Sequence, residues 1–257
     1  MKKKLYTIEL TDGVKSGDEC MFCWLERKLE QENLEFVLGS SYMEGDIREE
    51  TSKSGFCRHH TKMMYDCGNS LGNAWIFKSR LEWMNQQLKK HIAQYEPAGG
   101  TGFWERFRRT EQAETDRSRS GTEGWIRSEE DHCYVCRRMK VIYERMLDTF
   151  VYMLREDPGF GSLLTESKGF CIHHFADVLM VCEEKLKPQE KQVWIPRLGQ
   201  LMTKNLDRVQ QDIDWLIEKY DYRNQDADWK QSRDAVQRTM QKLIGGYPAD
   251  PVFKCRK

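Results

Sequence analysis

Apolar positions along the chain recur at helical spacing. Met139, Tyr143, Met146, Leu147, Phe150, Val151 and Leu154 follow the i, i+4, i+7, i+8 rhythm of one buried helical stripe. Leu25, Leu29, Phe36, Val37 and Met43 form a looser version earlier in the chain. Two further stripes follow these: Phe77, Leu81, Met84, Leu88, Ile92 and Tyr95, then Leu198, Met202, Leu206, Val209, Ile213, Leu216 and Tyr220. Trp229, Val236, Met240 and Leu243 predict a last helix with one apolar face, ended by Gly245-Gly246. No segment alternates apolar and polar residues over a strand's length, so the fold class is all-α.

The stripes come in two sets, and each set surrounds the same cysteine-histidine signature. The first signature is Cys20-x-x-Cys23 and Gly55-Phe56-Cys57-Arg58-His59-His60, with 33 residues between Cys23 and Cys57. The second is Cys133-x-x-Cys136 and Gly169-Phe170-Cys171-Ile172-His173-His174, with 34 residues between Cys136 and Cys171. Soft thiolates with imidazole are the donors that zinc selects, and each copy offers three sulfurs and a nitrogen, a closed tetrahedral set. The expectation is therefore two tandem helical repeats, each closing its own metal site from its own Cys-x-x-Cys and Cys-x-x-His. Two zinc ions per chain are expected, with an iron-sulfur cluster as the alternative.

Other uses of Cys-x-x-Cys fit less well. Haem attachment needs His after the second Cys, where Trp24 and Arg137 stand. A thioredoxin-like pair needs alternating strands and helices around it. Disulfides do not pair evenly within two sets of three thiols.

Asp18 and Asp131, each two residues before the first Cys of a copy, are placed as helix N-caps. New helices are expected to start at Cys57 and Cys171, where Gly55 and Gly169 break the chain. A residue three positions on lies about 60° away around a helix, and one two positions on about 160°. His60 and His174 are therefore the expected ligands, while His59 and His173 are left for an outer shell or a reactive role. Cys67 and Cys182 read as small buried hydrophobes, and Cys255 as a tail residue.

Spacing suggests four segments: a first repeat at 1–96, a linker or insertion at 97–130, a second repeat at 131–220 and a C-terminal segment at 221–257. The linker carries Trp104 and Phe107 among Arg106, Arg108 and Arg109, but Glu105 and Glu111 interleave them, which favours a solvated amphipathic helix. Lys plus Arg and Asp plus Glu each total 41, so no bulk field attracts nucleic acid or an anionic membrane. Polar residues interrupt the N-terminus and no long apolar run follows, so a cytoplasmic protein is expected.

The doubled signature, with Asp221-Tyr222-Arg223-Asn224 before the last helix, resembles an uncharacterised family of bacterial cytoplasmic proteins known only as a domain of unknown function. The resemblance implies a helical fold and points to Cys20, Cys23, Cys57 and His60, and to Cys133, Cys136, Cys171 and His174. It implies no activity. A non-catalytic protein with two structural zinc ions, binding a small-molecule or protein partner between repeats, is the favoured reading; a metal-dependent or thiol-redox enzyme is the alternative.

Overall fold

A computed structural model describes residues 5–94 and 121–246. All regular structure among them is helical: α1 (Thr7–Lys15), α2 (Met21–Leu38), α3 (Gly45–Ser54), α4 (Arg58–Cys67), α5 (Ser70–Ala93), α6 (Thr122–Glu130), α7 (Tyr134–Glu156), α8 (Pro158–Glu166), α9 (Ile172–Lys185), α10 (Pro188–Lys219) and α11 (Ala235–Ile244). Short 3-10 turns occupy Ser40–Met43 and Tyr222–Asn224. No helix among the described residues is long and apolar enough to cross a membrane. Trp104, Phe107 and the arginines beside them, and Cys255, lie outside the described residues.

The chain forms two compact units. Among the described residues, one takes those up to Glu30 and from Lys140 onward, and the other takes those between Gln31 and Met139. The division falls inside α2 and inside α7.

In the first unit, the expected stripe of α7 is the core. Met146, Leu147, Phe150, Val151 and Leu154 are all buried. The Phe22 ring of α2 packs 5.8 Å from Phe150 and 6.0 Å from Phe170, a cluster of the kind that contributes well beyond its buried area. Asp157 then starts α8 by accepting from the Phe160 amide at 3.0 Å, with Pro158 in the first turn where its missing N–H costs nothing.

In the second unit, Leu34, Val37 and Leu38 of α2 pack with Met64 of α4, Ile76 of α5 and the Cys133-Tyr134-Val135 segment. Asn69 opens α5 by accepting from the Gly72 amide at 3.0 Å, and its side-chain amide donates to the Leu38 carbonyl at 2.6 Å. Arg80 of α5 donates to the Ser52 and Lys53 carbonyls at 2.8 and 3.1 Å, closing the C-terminus of α3, and pairs with Glu129 at 2.8 Å.

Several local expectations are corrected. α2 stops at Leu38, so Met43 lies in the following turn and is exposed, as is Phe36. On α5 the buried position is Ile76, one residue off the expected stripe, and Leu81 and Ile92 face solvent. Asp131 ends α6 instead of beginning α7, and Asp18 accepts from the Cys20 amide at 3.1 Å ahead of α2. The last helix is turned over: Val236, Met240 and Leu243 are exposed, while Ala235, Gln241 and Lys242 are buried.

Candidate metal centres

The eight cysteines and histidines of the signatures gather into two clusters, but not within repeats. Cys20 and Cys23 meet Cys171 and His174; Cys57 and His60 meet Cys133 and Cys136. In each cluster the four donor atoms lie within 4.8 Å of one another. The expected pairing of each Cys-x-x-Cys with the Cys-x-x-His of its own copy is thus overturned: the partners are exchanged.

Spacing along the chain fixes only the Cys-x-x-His half of each set, since Cys57 with His60 and Cys171 with His174 share the first turn of a helix; it does not choose which Cys-x-x-Cys completes the set. Loop entropy does not forbid the exchange: closing 148 positions between Cys23 and Cys171 instead of 34 costs only about 1 kcal/mol more.

The first centre, in the first unit, places Cys20 Sγ 3.3 Å, Cys23 Sγ 3.5 Å and Cys171 Sγ 3.2 Å from His174 Nδ1, with Cys23 and Cys171 sulfurs 3.8 Å apart. The second centre, in the second unit, places Cys57, Cys133 and Cys136 Sγ at 3.2, 3.3 and 3.4 Å from His60 Nδ1, with 3.9 Å between Cys57 and Cys136.

Backbone hydrogen bonds fix both arrangements. The Met21 amide donates to the Gly169 carbonyl at 3.3 Å, and the Tyr134 amide to the Gly55 carbonyl at 2.9 Å. Both glycines have positive φ, 76° and 63°, which turns the carbonyl toward the other signature. Cys57 and Cys171 are extended residues at the N-cap, so the helices start one position later than expected, at Arg58 and Ile172. Sulfur takes the capping role: the His174 amide donates to Cys171 Sγ, and the Cys23 amide to Cys20 Sγ, each at 3.4 Å. Amides aimed at sulfur favour the thiolate that a metal needs.

The titratable groups of each cluster perturb one another strongly. Side-chain hydrogen bonds from Cys20 and Cys23 hold Cys171 far below the usual thiol range, while its bond to Cys171 pushes Cys23 far above it. In the second centre, the bond from Cys136 lowers Cys133 to about 3, and Cys136 rises in return. One thiol ionises at its neighbour's expense because adjacent thiolates repel. Burial alone would lower His174, but interactions with Cys171, Cys20 and Glu26 overcome it and push the imidazole up to about 12.

Residues outside the signatures complete the first centre. Glu26 holds a carboxylate oxygen 3.2 Å from His174 Nε2, within ion-pair distance but without hydrogen-bond geometry. Lys242, in α11, donates to the carbonyls of Glu19, Lys168 and Phe170, gripping both cysteine segments from behind. Glu19 balances that charge, with its carboxylate held below the usual range: burial opposes this, but Arg208, Lys242 and Lys168 outweigh it. Lys242 and Glu19 were invisible to motif reading, because no spacing rule links them to the cysteines.

Of the neighbouring histidines, His59 and His173 are exposed, and His173 Nε2 lies 3.8 Å from Asp177. Cys182 is a buried core thiol, raised to about 12 by burial, whereas Cys67, expected to be a buried hydrophobe, is half-buried at the end of α4 and disulfide-bonded.

No curated protein and no solved structure matches the chain. The profile described as "Family of unknown function (DUF6062)" matches residues 1–250, the stretch that holds both signatures, and the chain belongs to that family.

Proposed function

We propose that the protein binds two zinc ions, one at each centre, and that they hold its helices together without catalysing a reaction. The observation that carries this is the donor geometry. Edges of 3.2 to 3.9 Å fit a tetrahedron with metal–sulfur bonds of about 2.3 Å and a metal–nitrogen bond of about 2.0 Å, whose edges are about 3.6 and 3.8 Å. Three sulfurs and one nitrogen fill zinc's shell and leave no position for a reacting water, which favours a structural over a catalytic site. Iron-sulfur clusters are held by four Cys, or by two Cys and two His, so this donor set suits them less.

The chain's own residues supply the rest. Each centre fastens the start of one long helix to a turn from the other signature, and the Glu26 carboxylate stands 3.2 Å from His174 Nε2. Structural zinc binding is worth about 10–16 kcal/mol, comparable to the whole stability of an ordinary domain. Elemental analysis of colourless protein, purified without added metal, should give close to two zinc per chain. A ratio near zero, or visible absorption with bound iron, would overturn the reading.

A further inference from the structure

The two centres share a donor set but differ in cover. In the first, Cys20 and Cys171 are 0 % exposed and Cys23 and His174 2 %. The end of α11 lies over it: a Cβ placed on Gly245 would stand 3.8 Å from Cys23 Sγ and 3.9 Å from Cys171 Sγ. In the second, His60 and Cys133 are buried, but Cys57 is half-buried and Cys136 exposed. Cys136, in the first turn of α7, is the one exposed residue of the four.

Resting on the two-zinc reading, we propose that Cys136 is a peroxide-reactive zinc thiolate, and that its oxidation empties the second centre while the first keeps its metal. A thiolate stays nucleophilic when bound to zinc, and access then decides which sulfur reacts. Cys136 thiolate attacks a peroxide oxygen and breaks the O–O bond, giving the sulfenic acid and hydroxide. Cys57, whose sulfur is 3.9 Å away, then displaces the second hydroxide and forms the disulfide. In sum, two thiolates give two electrons to one hydrogen peroxide, yielding one disulfide and two hydroxides. The sulfurs must close to about 2.05 Å, and losing two of four donors leaves zinc held only by Cys133 and His60, which frees it. A dithiol reductant restores both thiolates.

The test treats protein of verified zinc content with near-stoichiometric hydrogen peroxide, follows zinc with a chromophoric indicator, and maps cysteines by peptide mass spectrometry. The expected result is release of about one zinc per chain, a Cys57–Cys136 disulfide, and Cys20, Cys23 and Cys171 unmodified until the chain is denatured. Cys136→His, which keeps a fourth donor without an oxidisable sulfur, should still bind two zinc ions and slow the release at least about tenfold. Release of both ions together, release with Cys136 unmodified, or an unchanged rate in a Cys136→His protein that holds two zinc ions would overturn the proposal. Protein that contains no zinc at the outset would refute the underlying two-zinc reading instead.

Discussion

Tyr134 donates its backbone N–H to the carbonyl of Gly55 at 2.9 Å, tying the second Cys-x-x-Cys to the turn that presents Cys57. Met21 and Gly169 make the counterpart bond for the other centre. The carbonyls can face their partners only because the glycines are left-handed. A Cβ on Gly55 would also meet the Arg80 guanidinium at 2.9 Å, and one on Gly169 would meet Leu201 at 3.2 Å. Gly55→Ala should therefore cost about 1–2 kcal/mol for the backbone alone, plus the displacement of Arg80. Urea denaturation of the metal-loaded protein measures it, and an unchanged midpoint would show that the turn does not hold the centre.

Lys242 is the second point of attack. Its ammonium satisfies three buried carbonyls and stands 3.4 Å from the Glu19 carboxylate. Lys242→Met keeps the apolar stem but abandons those acceptors, at about 1–3 kcal/mol for a buried group left unsatisfied. The variant should be destabilised and should surrender one of its two metals to a chelator faster than the other. Equal acceleration at both centres, or none, would show that α11 does not brace the first centre.

Adjacent histidines should behave differently. His174 presents Nδ1 to three sulfurs and is buried, whereas His173 is 71 % exposed and points toward Asp177. His174→Ala should lose one metal per chain and much of the helicity that depends on it. His173→Ala should retain both, with stability within about 0.5 kcal/mol of the parent, as for most surface substitutions. Metal loss in His173→Ala with full occupancy in His174→Ala would reverse the assignment.

The residues of both centres were legible in the sequence because sulfur and imidazole, repeated at the same short spacings, form a donor set that metals select and that packing alone does not require. Their pairing was not. Local spacing says which side chains share a turn, as Cys171 and His174 do, but which Cys-x-x-Cys completes the set is decided by tertiary contacts such as the Met21 amide on the Gly169 carbonyl. The stripe of α7 was readable because an apolar core faces it. The same rule misplaced α11, whose inner side meets backbone carbonyls and acidic groups, so that Lys242 and Gln241 are buried and Met240 is not. On α5, Ile76 is buried and Phe77 packs half-buried against the same core, and helical spacing alone does not rank two adjacent apolar residues.

The exchange of partners between signatures is the central claim, and paired substitutions test it most directly. Cys23 and Cys171 belong to one centre, and Cys57 to the other. Cys23→Ser with Cys171→Ser should remove a single site and leave about one zinc per chain, whereas Cys23→Ser with Cys57→Ser should damage both sites and leave almost none. Zinc content by elemental analysis of the two folded double variants decides it. The opposite pattern, one zinc in the Cys23/Cys57 pair and almost none in the Cys23/Cys171 pair, would mean that each signature closes on itself and would contradict the exchange.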